Sequence, residues 1–312
     1  MAIFSIHHIT RYEYDRPIKE SVNSIKMYPY QYPLQRILLH ELSITGNPEV
    51  NTFTDYWGNK EGIFNVSEQH EELIIDSRLT IQTLPSGLPM AKTSLVAELP
   101  TFIQNDLHLL ELARPSRIDG VEEMDAIIRS INPEKKDIFQ IIQETSAYVF
   151  ETFQYIKGIT TIETTVDELL IKKAGVCQDF AHVMLEILRR IGIPGRYVSG
   201  YICPNKNGMR GEGATHAWVE AFIPGMGWMG IDPTNNTLAN EHHIKLASGR
   251  DFTHCSPVKG IFKGPAHQSL SVYVSVGYED GHRFEEMNKV QLELQKGSVE
   301  ADKINNNFAA QQ

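Results

Sequence analysis

The chain has 312 residues and a formal net charge of −10, with a sequence pI near 5.6. That length supports two ordinary domains with sizeable cores, and 41% hydrophobic with 22% charged residues is the balance of a folded globular protein. The acidic excess excludes a general nucleic-acid binder, which needs a basic footprint, and docking on an anionic membrane through a basic face.

The opening segment, MAIFSIHHITRYEYDRP, lacks a basic stretch followed by an apolar run, so no secretory signal is expected. No stretch reaches the ~18 consecutive apolar residues of a membrane span, and a cytoplasmic location is the expectation. Residues 1–85 read as a β-rich domain. RYEYD, RILLHELSI and EELIIDSRLTIQT carry β-branched and aromatic residues with partial alternation, and Gly58-Asn59 marks a turn. Residues 86–115 begin rich in Pro and small residues and read as a linker. From Pro133 to about Ile156 apolar residues recur at helical spacing, and a second helix runs from near Gly175 to Ile191. Strands are expected over residues 196–202, 215–222, 228–232 and 269–278. The polar tail, 285–312, is expected to be partly disordered. The fold class is therefore α+β, with a second, mixed domain over residues 116–284.

The second helix carries the first chemical signal. Cys177, Phe180, Ala181, Met184, Leu185, Leu188 and Ile191 fall on one helix face. Gly192 is placed as a C-cap and Pro194 as a stop. Cys177 sits in the first turn, where free N–H groups and the helix dipole favour a negatively charged sulfur. The same N–H groups can stabilise an oxyanion beside it. A buried structural cysteine is the alternative. Cys203 and Cys255 complete an odd, sparse set that does not form a disulfide framework. Asp179 reads as a first-turn acid that favours the helix N-terminus, and His182, Arg189 and Arg190 as ordinary helix-surface or core-edge residues.

A thiol nucleophile needs a base, and the base needs an orienting partner. Thr215-His216-Ala217-Trp218-Val219-Glu220-Ala221-Phe222 alternates as a strand, with His216 and Trp218 on one face. Ile223 to Gly227 turns the chain, and Trp228 to Asp232 returns it before Pro233. A turn centred near residue 225 sets His216 opposite residue 234 and Asp232 opposite residue 218. A small shift or bulge then joins imidazole to carboxylate. Cys177, His216 and Asp232 thus have the types and order of a catalytic triad, each at the end of an element.

GVCQDFAHVMLEILRRIGIPGRYVSGYI, followed by THAWVEAFIPGMGWMGIDPTNN, strongly resembles the transglutaminase-like superfamily, in particular its bacterial branch with a β-rich N-terminal domain. HHIKLASGRDFTHCSPVKGIFKG, RYEYDRPI and DYWGN resemble that branch too, so the likeness covers most of residues 1–280. It implies a papain-like core, with a Cys-bearing helix on an antiparallel sheet. It assigns Cys177 as nucleophile, His216 as base and Asp232 as orienting acid. Animal members carry a Trp before the cysteine that helps hold the oxyanion; here no Trp lies between Trp57 and Cys177. Tyr155 is the substitute donor considered, and Trp218 a substrate-pocket wall. Those enzymes also need calcium, but no D-x-D-x-D-G loop occurs here.

The expected activity is thiol-dependent acyl transfer on a peptide, protein or other amide through a thioester, with hydrolysis ahead of amine transfer. No cofactor and no metal are expected. A zinc site drawn from Cys177, His182, Cys203, His216 and Cys255 lacks any C-x-x-C or H-x-x-x-H pair, and the adjacent His242 and His243 would face opposite ways on a strand. A non-catalytic peptide-binding module on the same fold is the alternative from another class. The segment from Pro204 to Ala214, rich in Gly, reads either as a loop over the site or as plain surface.

Overall fold

The computed structural model describes residues 2–85, 94–203, 209–211 and 215–278, and the backbone of 283–291 and 307–308. Strands β1 (Ala2–Ile18), β2 (Glu20–Ile25), β3 (Gln35–Ile44), β4 (Asn51–Thr54), β5 (Lys60–Val66) and β6 (His70–Thr83) come first. Helices α1 (Leu99–Ile103), α2 (Leu107–Ala113), α3 (Val121–Ile131) and α4 (Ile138–Thr152) follow. The two-residue strands β7 (Gln154–Tyr155) and β8 (Ala174–Gly175) pair in parallel around α5 (Val166–Lys172). Then come α6 (Cys177–Ile191), β9 (Gly195–Ile202), β10 (Thr215–Ile223), β11 (Gly227–Asp232), β12 (Thr237–Leu238) and β13 (His243–Gly249). The short α7 (Phe252–Cys255) precedes β14 (Val258–Lys263), β15 (Gln268–Tyr278), β16 (Arg283–Gln291) and β17 (Asn307–Phe308).

Two cores result. One lies between α6, its surrounding helices and the sheet ordered β12-β11-β10-β9-β13. The other is enclosed by the sheets β16-β15-β1-β6-β3 and β17-β14-β2-β5-β4. The first six strands supply nothing to the β9 sheet. The C-terminal strands, however, cross over: β14 pairs with β2 and β15 with β1. Assigning residues 258–278 to the catalytic unit is thereby corrected. Phe4, Ile6 and Tyr12 on β1 and Leu270, Val272, Val274 and Val276 on β15 all bury toward the second core. Strand alternation names the inward side chains, but says nothing about which strand lies alongside.

Two further boundaries change. Residues 86–93 of the expected linker lie outside the described residues, but from Val96 onward the chain is helical and buries Leu99, Leu109 and Leu112. In the expected tail, 283–291 form a strand on β15, and residues 307–308 pair with β14; residues 292–306 and 309–312 lie outside the description. Among the described residues no helix is long and apolar enough to cross a membrane.

The two parts meet at β13, an edge strand whose outward backbone groups need partners. Side-chain amides supply them. Gln35 Nε2 donates to the Lys245 carbonyl at 2.9 Å, and Gln35 Oε1 accepts from the Lys245 N–H at 2.9 Å. Asn59 does the same to Ser248. Asn59 is fixed by the 55–59 turn, where Gly58 takes a positive φ of 81° and Asp55 accepts from the N–H groups of Trp57 and Asn59.

Candidate active site

Helix α6 begins where the sequence places it. Val176 is its extended N-cap residue and Cys177 its first helical residue. Asp179 Oδ2 accepts from the Val176 N–H at 2.8 Å and from the Thr160 hydroxyl at 2.6 Å, which locks the first turn. A Cβ on Gly175 would lie 2.5 Å from that carboxylate oxygen, so glycine is required just before the cysteine. Gly192, at φ +99°, ends the helix in the left-handed conformation, and the Ile193 N–H bonds to the Leu188 carbonyl.

The helix is central rather than buried along one face. Gln178, Glu186 and Arg189 are all within 5% exposure. Arg189 donates to the carbonyls of Leu112 and Gly195, and Glu186 accepts from the Ser116 N–H and from Arg190. His182 is half-buried. Burial pushes its pKa down to about 4, and its Nε2 accepts from the Phe252 N–H. Reading Arg189 as a surface or core-edge residue is corrected accordingly: its polar atoms are satisfied by backbone from distant segments, whereas His182 does stand at the edge of the core.

The β10–β11 hairpin has the register that a turn centred at Gly225 dictates. Val219 pairs with Ile231 and Phe222 with Trp228, with Gly225 and Gly227 both at positive φ. No shift or bulge intervenes there. Beyond Val219 and Ile231 the two strands take other partners: His216 lies opposite Gly200 on β9, and Asp232 opposite Thr237 on β12. Asp232 then reaches diagonally, placing Oδ2 2.8 Å from His216 Nε2. Both residues are buried, His216 to 3% and Asp232 to 0% exposure.

Asp232 is held from several directions. The Thr234 N–H donates to Oδ1 at 2.9 Å, and Asn235 Nδ2 donates to Oδ2 at 2.7 Å. Nε2 of His243, at the start of β13, lies 3.3 Å from the same oxygen. Burial resists ionisation of Asp232, but His216 and then His243 outweigh it and hold the carboxyl well below its usual range. Burial likewise opposes the His216 cation. The Asp232 charge, together with Cys177, outweighs it and pushes the imidazole up to about 10.

His216 Nε2 is committed to Asp232, which leaves Nδ1 for Cys177. That nitrogen is buried and closes no hydrogen bond of good geometry, yet the Cys177 thiol is near enough to raise the ring's pKa through charge and hydrogen bonding. Sulfur and imidazole therefore face one another, short of a well-aligned bond. They share a cavity of about 20 Å³ with Gln178, Tyr197, Ser199 and Phe252, and Gln178 Oε1 is buried there without a partner. Cys203 and Cys255 are fully buried, and burial pushes both thiols up.

The two flanking aromatics differ in placement. Trp218 is 2% exposed and does not line this cavity. Its ring lies near-parallel to His216, with centroids 6.4 Å apart, and edge-on to His243 at 5.3 Å; it backs the imidazoles. Gly200 makes room for it and for β13, since a Cβ there would collide with the Ile244 carbonyl oxygen and lie 2.8 Å from the indole. Tyr155 packs edge-on against Phe180, and its hydroxyl borders Gly211. A Cβ on Gly211 would stand 3.1 Å from His216 Nδ1 and 3.7 Å from that hydroxyl. Gly211, at φ +79°, belongs to the Gly-rich segment, of which residues 204–208 and 212–214 lie outside the description. Arg210 ties it down. Its N–H donates to Asn235 Oδ1, its carbonyl accepts from Asn235 Nδ2, and its guanidinium lies 4.3 Å from the centre of the Phe150 ring.

The five residues weighed for zinc do not converge among the described residues. A different trio does: His216, Asp232 and His243 bring ligand atoms within 4.8 Å of one another. These atoms already serve each other as donors and acceptor, with Thr234 and Asn235 on the same carboxylate. A cation would have to displace that proton-donating shell.

Sequence reasoning missed Asn235 and His243. The signal for His243 was the alternation that set His242 and His243 on opposite faces, since one of them then had to face the sheet carrying Asp232.

The family model described as the transglutaminase-like superfamily matches residues 125–233, and that for the bacterial transglutaminase-like N-terminal region matches residues 4–82. An uncharacterized protein of Mycobacterium leprae is 30% identical over 86% of this chain and 96% of its own length. A protein-glutamine gamma-glutamyltransferase of Pseudomonas aeruginosa is 37% identical, but over 27% of this chain and 14% of its own length. A solved structure from Cytophaga hutchinsonii, designated a candidate cysteine protease, superposes with a TM-score of 0.67 at 19% identity, over 97% of this chain and 96% of that one; it shows a shared fold. With the α6–β10–β11 arrangement, family models matching residues 4–82 and 125–233, and a relative aligned over 86% of its length, the chain belongs to the transglutaminase-like superfamily.

Proposed function

We propose that this protein is a cysteine-nucleophile enzyme that transfers acyl groups from amides, with Cys177, His216 and Asp232 as its triad and water as the usual acceptor. The observation that carries the reading is the buried 2.8 Å contact between His216 Nε2 and Asp232 Oδ2. It turns the other ring nitrogen toward a cysteine in the first turn of α6. In this reading His216 Nδ1 takes the Cys177 proton, and the resulting thiolate attacks the amide carbonyl. The C–N bond breaks, and the same proton passes to the leaving amine. Water then attacks the thioester, giving a proton to Nδ1; the C–S bond breaks, the acid is released, and the sulfur and the proton on Nδ1 restore the starting Cys177–His216 pair. Asp232 holds the ring's tautomer and stabilises its charged form.

The Cys177 N–H at the helix start is the proposed oxyanion donor, and the Tyr155 hydroxyl the proposed second. Peptides and proteins are the substrate class, recognised without nucleic acid or membrane. A second reading, with an amine as acceptor, draws on the local likeness to the Pseudomonas aeruginosa gamma-glutamyltransferase. Incubating the protein with a peptide library, with and without a primary-amine probe, tests both. Free acid products absent from a Cys177→Ala control support hydrolysis, and Cys177-dependent amine incorporation supports transfer. Neither product from protein whose Cys177 reacts normally would favour a non-catalytic peptide-binding module.

A further inference from the structure

Asp232 carries a second imidazole for which acyl transfer has no direct use. The chain from Asn240 to His243 folds into a tight turn in which the His243 N–H donates to the Asn240 carbonyl at 3.0 Å. The Asn240 side-chain oxygen accepts from the His242 N–H at 2.9 Å. The Asn240 N–H lies 3.2 Å from His243 Nδ1 and donates to it. Nδ1 also lies 3.3 Å from Asn240 Oδ1, but a proton there would oppose the Asn240 N–H and turn the bare Nε2 lone pair onto the Asp232 carboxylate; with Nδ1 as acceptor, the ring's proton sits on Nε2, directed at Asp232 Oδ2 3.3 Å away. The ring is buried, with Trp218 edge-on to it at 5.3 Å. Burial favours its neutral form.

We propose that His243 is a positioning residue of the reaction: a neutral N–H donor that steadies the Asp232 carboxylate and limits its pull on the His216 proton. This rests on the acyl-transfer reading of the same site. His216 must take a proton and give it back. A buried carboxylate with no other donors would bind the imidazolium so tightly that the proton would be slow to return. Here the oxygen that holds His216 at 2.8 Å also receives Asn235 at 2.7 Å and His243 at 3.3 Å. Each donor takes a share of the negative charge. His243 is the longest of the three contacts, which suits adjustment rather than anchoring. The titratable groups acting on His216 are Asp232 and Cys177, and those acting on His243 are Asp232, His216 and His242.

The test is the pH profile of Cys177 alkylation by iodoacetate, an anion drawn to the sulfur while an imidazolium stands beside it. Wild type, His243→Leu and His243→Gln are compared, each with a thermal melt. His243→Leu should move the alkaline limb upward by roughly half a pH unit or more. His243→Gln, which keeps an N–H donor, should return the limb toward wild type. Should the leucine variant melt below the assay temperature, His243→Asn, which is too short to reach Asp232, gives the same contrast. An alkaline limb that stays put or moves down in a folded donor-free variant overturns the proposal, whatever its melting temperature. If wild-type Cys177 itself shows no preferential, pH-dependent labelling, the acyl-transfer reading fails instead, so the two failures are distinguishable.

Discussion

Asn59 and Ser248 exchange two hydrogen bonds, both at 2.8 Å, between a side-chain amide and the backbone of an edge strand. The contact spans 189 residues of sequence, and joins the N-terminal β-turn to the sheet that carries His216. Gln35 makes the matching pair of bonds to Lys245. The N-terminal part of the chain therefore completes the exposed side of β13, while His216 sits on β10 and Cys177 on α6.

Asn59→Ala should strip both partners from Ser248 and leave its buried N–H and C=O unsatisfied. A loss of roughly 2–4 kcal/mol is expected, read as a lower urea midpoint with an unchanged slope. The rate of Cys177 alkylation in the folded variant should stay within about twofold of wild type, because the Asn59 side chain bonds to Asp55 and Ser248 and to no residue of the triad. A stability change under about 0.5 kcal/mol would mean that the amide bridge contributes little.

Cys177 should be the first thiol labelled by brief iodoacetamide treatment at neutral pH. It faces His216 in a cavity, whereas Cys203 and Cys255 have 0% exposure, and burial disfavours their thiolates. Peptide mapping by mass spectrometry reads the order directly. Cys203 or Cys255 reacting ahead of Cys177 would contradict the assignment of the nucleophile.

Stability should fall as pH rises through the alkaline range. The His216 pKa is raised in the folded state, to about 10, above an unfolded value near 6.5. Its contribution is thus complete below about pH 6.5 and is lost as pH climbs toward 10. Asp232 works in the opposite range. Its folded pKa is depressed, so its contribution is present above the unfolded value and disappears as pH drops below it. Urea titrations at closely spaced pH should show that His216→Gln loses the alkaline decline. The same alkaline slope in wild type and variant would place its source outside the His216–Asp232 pair.

Much of this site could be read from local chemistry. Gly225 and Gly227 fix the turn, and the turn fixes the register of β10 and β11, so His216 and Asp232 were legible as neighbours. Gly175 and Gly192 likewise bounded the Cys177 helix. What stayed hidden depends on contacts distant in sequence. Arg189 and Glu186 look like surface residues until the carbonyl of Leu112 and the N–H of Ser116 arrive from 77 and 70 residues away. The alternation of 269–278 announces a strand but not its place beside β1. His243 could be assigned a face, but its partner depended on how β13 joins β9.

Asp232→Asn should damage catalysis more than it damages the fold. Asn is nearly isosteric, and its carbonyl can still accept from Thr234 or Asn235. Replacing a buried charged acceptor weakens those bonds, for a cost of roughly 1–3 kcal/mol, which leaves a folded protein at 25 °C. The larger effect falls on His216. With the carboxylate in place, Nε2 carries the proton and donates to Oδ2 at 2.8 Å, so Nδ1 presents a lone pair toward Cys177. An amide that turns its NH₂ toward Nε2 favours the other tautomer. The proton then sits on Nδ1, where it blocks uptake of the thiol proton, and the imidazolium loses the charge that stabilises it. In serine proteases the same change costs about 10⁴ in kcat. A thiol ionises more readily than a hydroxyl, so the loss expected here is smaller, roughly 10²-fold or more. The measurement is kcat on an accepted amide substrate beside a thermal melt. Near-full activity in folded Asp232→Asn protein would remove Asp232 from the triad and reduce the mechanism to a Cys177–His216 dyad.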